Sequence, residues 1–390
     1  VTSAPLAARY SRFRVAERLL LTGHSHQAWP DVAREGVLEA WDDAALELGR
    51  KWDRAAVKAE RLRAGVRMLV GDPAAEVALG GSAHELLVRF LSALDLRERP
   101  RLVTTDAEFD SARRQLDRLV EIGVEVVRVP ATPVDSLAER IAAAVDDRTA
   151  AVVVSSVLYE TARIVPGLAT VAAACERTGT ELLVDAYHQL GVVPLSVADG
   201  LGEAWVLGGG YKYLQLGEGN CFLRIPPHAG DLRPVVTGWF AHDGDRFAGS
   251  TYDPTSHYRA ARVLDFFDEQ GLTPATLRRI SLRQRGLLAD AFDDLDLPDD
   301  LVTRDRETPA EGFGGFLALR SPRAAELRAA LAERGVHADH RGRHLRLGPA
   351  PYLSDAQLGT AIAHLGEACQ DVVRRRGRAA TVTRRPAPPT

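Results

Sequence analysis

The sequence is poor in cysteine. Its three residues of that type, Cys175, Cys221 and Cys369, are odd in number, far apart and without a CxxC pair. That excludes a disulfide framework and gives no zinc cluster. Reduced, buried thiols in a cytoplasmic protein are the expectation. An excess of one charge sign is also missing: 49 Lys plus Arg stand against 53 Asp plus Glu, a formal net of −4. No general attraction to nucleic acid or to an anionic membrane follows. No stretch approaches the roughly 18 apolar residues of a membrane span, and the first residues lack the charged-then-apolar pattern of a secretory leader. The chain is therefore expected to be soluble and intracellular. It has no internal repeat and no low-complexity linker, and no GxGxxG directly after the first predicted strand, which counts against a plain doubly wound nucleotide binder.

What is present is a globular α/β composition, 46% hydrophobic and 26% charged over 390 residues, a length that favours one large domain plus a smaller one. From about residue 76, short β-branched runs alternate with amphipathic helical windows: EVAL (76–79), RLVTT (101–105), VEVVRV (124–129), AAVVVSS (150–156), ELLVDA (181–186), AWVLGG (204–209) and NCFLRI (220–225). Seven strands separated by helices predict one mostly parallel sheet covered on both faces. After Asp253 the order becomes two long helices, a strand (GGFLALR), a helix near 322–334, two strands (VHADHR, HLRLG) and a last helix near 354–372. That order reads as a small α+β domain. The expected organisation is an N-terminal arm with helices over 1–70, placed to cover a partner subunit, a large domain over 71–255, a small domain over 256–373, and a disordered basic tail over 374–390.

Three segments carry chemistry. In DAYHQLG (185–191), Asp185 ends a buried strand, where ligands of open α/β sheets bind. An ionised Asp there calls for a cationic partner, such as a protonated pyridine nitrogen, although such an Asp also serves as a helix cap. Twenty-seven residues on, GGGYKYLQLGEGNCFL (208–223) puts Lys212 between two tyrosines among glycines. Partial desolvation lowers the pKa of such a lysine and favours the neutral amine that forms an imine. In LGGSAHELL (79–87) a glycine pair leads from a strand into a helix. The free N–H groups at Gly81, Ser82 and Ala83 make an anion cradle suited to a phosphate, and the same residues also suit a plain cap by Ser82.

The order of these segments resembles the class V aminotransferase family, of pyridoxal 5'-phosphate (PLP) fold type I, over roughly residues 75–370. Within it the segments resemble the kynureninase-like and cysteine desulfurase-like branch: DAYHQLGVVPLSV resembles the kynureninase-like Asp-x-x-His-x-x-Gly segment, YKYLQLGEGN its Tyr-Lys-Tyr-Leu segment and TGWFAH (237–242) its Gly-Trp-Trp/Phe-x-His segment. The resemblance implies a homodimer with a shared active site and PLP as cofactor. Lys212 would be the imine-forming lysine, Asp185 the partner of the pyridine nitrogen and His188 the neighbour of the phenolic oxygen. Ser82, Ala83 and Tyr211 would lie at the phosphate, and Phe109 (in TTDAEFDSARRQL) on the pyridine ring. Trp239 and Thr251 match positions that reach the phosphate region, in the family often from the other subunit. Arg346, in HLRLGPAPYLSD, matches the arginine that binds a substrate α-carboxylate, a task suited to the planar guanidinium fork.

The sequence also departs from that branch. LTGHSHQAWPD puts His24 and His26 where kynureninases carry a Gly-Asn-Ser-Leu-Gly type segment, and Leu158 and Ala162 stand where they carry Asn and Gly. The aromatic-substrate pocket is thus altered. His24 and His26 have the chemistry of acid/base or substrate-gripping groups, and no third ligand accompanies them toward a metal. Cysteine desulfurases, another class V branch, need a reactive Cys near the substrate arginine, and HADHRGRHLRLG has none. The expected activity is that of a lyase cleaving at the side-chain β-carbon of an α-amino acid, by carbon–sulfur β-elimination first and kynureninase-like carbon–carbon cleavage second. An aminotransferase using the same lysine and a non-catalytic PLP-binding protein are the alternatives.

Overall fold

The computed structural model describes residues 3–243 and 245–382. The seven predicted strands form one sheet: β1 (Glu76–Gly80), β2 (Arg101–Thr105), β3 (Glu125–Val129), β4 (Thr149–Ser155), β5 (Glu181–Asp185), β6 (Ala204–Gly209) and β7 (Cys221–Ile225). Their order is β1-β7-β6-β5-β4-β2-β3. β7 runs antiparallel to both neighbours and all other pairs are parallel. Every residue of β4 is buried, as a strand covered on both faces requires.

Alternation along the strands splits the core into two layers. Val152, Val154, Leu182, Val184 and Val206 face one layer, while Val153, Leu183, Trp205 and Leu207 face the other. The second layer is filled by Leu86, Leu87 and Phe90 of helix α3 (Ala83–Ser92) and Leu116 of α4 (Asp110–Glu121). The first takes α5 (Leu137–Ala144), α6 (Leu168–Thr178) and α7 (Thr255–Glu269), together with the C-terminal part of the chain. Helices α1 (Val32–Leu46) and α2 (Lys51–Val70) pack on α7.

The C-terminal part holds α8 (Pro274–Asp293), which starts on a Thr273 cap with Pro274 in its first turn, a favoured start. A four-stranded antiparallel sheet follows, made of β8 (Thr303–Arg304), β9 (Leu317–Arg320), β10 (Asp339–Arg341) and β11 (His344–Leu347), in the order β10-β11-β9-β8. α9 (Ala324–Glu333) packs beside it, and α10 (Asp355–Val382) packs on α8 and α9. The N-terminal arm docks on this part of its own chain: Leu19–Leu20 pairs in parallel with Val336–His337, and Thr22 bridges Gly348. α10 runs nine residues past the expected boundary at 373; Arg and Ala, abundant over 374–380, are strong helix formers. The rest of the expected tail, 383–390, lies outside the described residues. No described helix is long and apolar enough to cross a membrane.

Candidate active site

The parallel strands end their carboxyl edges on one cavity of about 270 Å³. The position beyond the strand ends, beside the reversal of strand order at β2 and β4, is where open α/β sheets bind ligands. Phe109 reaches the cavity from the loop after β2, Ser155 from the end of β4, Asp185 from the end of β5, and Tyr211 with Lys212 from the turn after β6. Tyr187 and His188 follow Asp185 in the turn after β5 and line the same space. Gly209 keeps that turn tight, since a Cβ there would collide with the Tyr187 ring.

Lys212 is 7% exposed, and its Nζ lies 2.7 Å from His188 Nε2. The ammonium position is ringed by aromatics, 4.5 Å from the Tyr187 centroid, 5.6 Å from Phe109 and 5.8 Å from Tyr211. Burial pushes the Lys212 amine down to about 7, against the pull of Asp185 and helped by the Arg346 charge. Burial, then the charges of Lys212 and Arg346, hold His188 well below the usual imidazole range, so it is neutral. Its Nδ1 is buried without a partner. Burial raises the Asp185 carboxyl, opposed by the Tyr187 N–H, which donates at 2.8 Å, and by the Lys212 charge.

Gly81, Ser82 and Ala83 line the same cavity, but part of the expected cradle is already engaged. Ser82 accepts from the Glu85 N–H at 3.1 Å, and the Glu85 carboxylate accepts from the Gly81 N–H at 2.8 Å. This is a capping arrangement, and Arg89 holds the other Glu85 oxygen. The Gly81 N–H is therefore not free as the sequence suggested, because Glu85 reaches back to it. A second hollow of about 450 Å³ adjoins the first and shares Gly81 and Gly219 with it. Trp52, Arg63, Arg89, Tyr252 and His257 are among its lining residues.

Trp239 and Thr251 are exposed and line neither hollow. His26 is exposed, with its ring 5.4 Å from Tyr211. His24 is fully buried and, like Arg346, lines neither hollow; it packs against Phe316 at 4.7 Å, with Nε2 on Asp339 at 2.8 Å. Burial pushes it down to about 4 despite that carboxylate. Arg346 is also buried, and it donates through Nε and Nη2 to Asp339 at 2.8 and 2.6 Å and through Nη1 to the Tyr159 carbonyl. Burial works to raise the Asp339 carboxyl, yet the bonds from His24 and Arg346 hold it below the usual carboxylate range. Among the described residues, no group of three or more His, Cys, Asp or Glu side chains is arranged to hold a metal ion.

Two acidic residues escaped the sequence reading. Asp339 gave only the alternation of a strand. Glu108 gave no signal: it is buried one residue before Phe109, and its carboxylate accepts from Thr105 Oγ1 at 2.6 Å, Ser155 Oγ at 2.5 Å and the Ser155 N–H at 3.2 Å. Burial pushes Glu108 up to about 7, opposed by those bonds. Ala162, at the position where kynureninases carry Gly, adopts a left-handed φ of 63° and packs its methyl with Phe313 and Phe316.

No family model matches the chain. The uncharacterized aminotransferase YcbU of Bacillus subtilis (strain 168) is 25% identical over 339 residues, 83% of this chain and 88% of that protein. A variant of C-DES solved with glycine covalently linked to its PLP cofactor superposes with a TM-score of 0.80 at 16% identity, covering 92% of this chain and 98% of that one. The cystine C-S lyase C-DES in complex with its product cysteine persulfide gives 0.78 at 18% identity, covering 90% and 98%. The chain thus has the PLP-dependent fold type I of these structures and an aminotransferase homologue in sequence, consistent with the class V aminotransferase family that its motifs resemble.

Proposed function

We propose that the protein is a PLP-dependent enzyme that acts on an α-amino acid and cleaves at its side-chain β-carbon. The observation that carries this reading is the meeting of Lys212, His188 and Asp185 in one buried cavity at the strand ends. The cavity fits the cofactor. It offers an amine with a lowered pKa for the aldehyde, a carboxylate for the ring nitrogen, the aromatic Phe109 for the ring face, and in His188 Nδ1 a buried polar atom still lacking a partner. Ser82 and Ala83, at the start of α3, supply the positive end of a helix for the phosphate. When bound, PLP supplies a covalent carbon–nitrogen link and an electron-withdrawing ring.

The chain's own groups do the rest. Asp185 would set its carboxyl group against the ring nitrogen, whose positive charge favours the ionised form against burial, and His188 holds the flank next to Lys212. Lys212, freed when the substrate amine takes its place, would be a neutral base near pH 7 that takes the α-proton and passes it to the departing β-substituent. Arg346 is the group for the α-carboxylate. A substituent on the β-carbon then leaves with its bonding electron pair. Sulfur as that leaving group is the first reading, because Leu158 and Ala162 stand where kynureninases carry Asn and Gly. No cysteine of the chain is suited to a persulfide: Cys175, Cys221 and Cys369 are buried, and burial pushes their thiols up to about 12, 11 and 12.

Transamination with the same lysine is the second reading, favoured by the name of the curated relative. Incubation of the holoenzyme with L-cysteine, L-cystine and a panel of amino donors with keto acids separates the two. Pyruvate plus ammonia supports β-elimination, and a new amino acid in step with a keto acid supports transamination. A homodimer is part of the proposal. Exposed Trp41, Leu48, Val235 and Trp239 and the hollow beside Gly81 support a partner subunit completing the phosphate end of the site.

A further inference from the structure

Arg346 is the substrate-carboxylate group of the function proposed above, and the following inference rests on that reading. β10 and β11 pair so that Asp339 lies directly opposite Arg346. An antiparallel ladder fixes that distance. The Asp339 carboxylate takes Nε and Nη2 together, the side-on edge of the guanidinium, and the Tyr159 carbonyl takes a hydrogen of Nη1. An arginine has five N–H donors; with three engaged, two are left, one on each terminal nitrogen. His24 closes the carboxylate from behind through Nε2, packed on Phe316, and Gly348 makes room for it, since a Cβ there would collide with the His24 ring. The Arg346 guanidinium also lies over Phe316, with Cζ 5.5 Å from its centroid.

We propose that Asp339, backed by His24, is a specificity-determining residue: an internal carboxylate that holds the side-on edge of Arg346 and makes any substrate carboxylate share the guanidinium end-on. The charge of Arg346 is balanced before a substrate arrives. A substrate carboxylate therefore gains little there, and the site discriminates weakly between an amino acid and the corresponding amine. Neither His24 nor Asp339 touches the reacting atoms in this account. They act through Arg346.

L-alanine and ethylamine differ only by the carboxylate, so they are the probes, with the change in cofactor absorbance of the holoenzyme as the readout of each dissociation constant. The wild type is expected to bind the two within about threefold of each other. Asp339→Asn and Asp339→Ser are expected to bind L-alanine about tenfold tighter, as removal of a charge next to the guanidinium requires, and to leave ethylamine unchanged, which also reports that each variant is folded. Adding Arg346→Gln to Asp339→Asn is expected to erase the gain. The inference is overturned if the wild type already prefers L-alanine by about tenfold or more, or if the Asp339 variants bind it no better. Should Arg346→Gln keep that preference or that gain, it is the assignment of Arg346 that fails. The wild-type comparison stands even where a variant does not fold.

Discussion

The side chains of Lys212 and His188 meet at 2.7 Å in the buried cavity, and both are biased by their surroundings toward the uncharged form. With the amine at about 7, the folded apoprotein carries a neutral lysine above that pH and an ammonium below it. The rate of reconstitution of apoprotein with PLP should therefore rise with pH through a midpoint near 7 and level off above it, whereas an ordinary lysine would still be gaining at pH 9. The same shift makes a stability statement. Between about 7 and 10.5 the unfolded chain holds a proton that the folded apoprotein lacks, so the contribution of this group to stability rises with pH across that window. A reconstitution profile with no inflection near 7 would count against the buried amine.

Asp185→Asn removes the charge beside the cavity but keeps an oxygen to accept from the Tyr187 N–H. The variant should fold, bind PLP more weakly and lose about two orders of magnitude in kcat. Steady-state kinetics with a substrate found in the panel above would check it, and wild-type turnover would contradict the role.

Glu108 fastens the loop before Phe109 to the end of β4 through two donors of Ser155 and to the end of β2 through Thr105 Oγ1. Glu108→Ala leaves those donors buried and unmet and should cost about 1–3 kcal/mol in denaturant unfolding. Since its folded pKa of about 7 lies above the ordinary 4.5, its proton-linked stability is present below about 4.5 and is lost as the pH rises through 7. Glu108→Gln should flatten that part of the profile.

Two glycines make a paired test of packing. A Cβ at Gly348 meets the His24 ring, while one at Gly359, exposed on α10, meets nothing within 4 Å. Gly348→Ala is expected to cost about 1–3 kcal/mol, and Gly359→Ala to add about 0.5–1 kcal/mol through helix propensity. Equal melting temperatures for the two variants would show that His24 is not held as described.

The large sheet was legible because its strands are covered on both faces and so read as short apolar runs between amphipathic helical windows, each within about a residue of its observed span. Lys212 and Asp185 were legible for a related reason: both sit where a buried strand ends, and the change from apolar to polar marks that end in the sequence. His188 and Phe109 could be named only through resemblance to a family, as could Trp239 and Thr251, which line neither hollow. What stayed hidden are relations between distant residues. His24 and Asp339 are 315 positions apart, and only the docking of the N-terminal arm on Val336–His337 and Gly348 brings them together. The engagement of Gly81 by Glu85 was hidden too, since a glycine pair before a helix suits a phosphate cradle and a capping box equally. The helix to Val382 continued because the charged run there favours helix as much as solvent.

The central claim, that Lys212 bonds covalently to the cofactor, has a direct measurement. The holoenzyme is reduced with borohydride, digested, and the peptide carrying the fixed pyridoxyl group is located by mass spectrometry. The account predicts a single labelled site at Lys212, lost in Lys212→Ala; a label on another lysine, or none in a protein that still binds PLP, would contradict it.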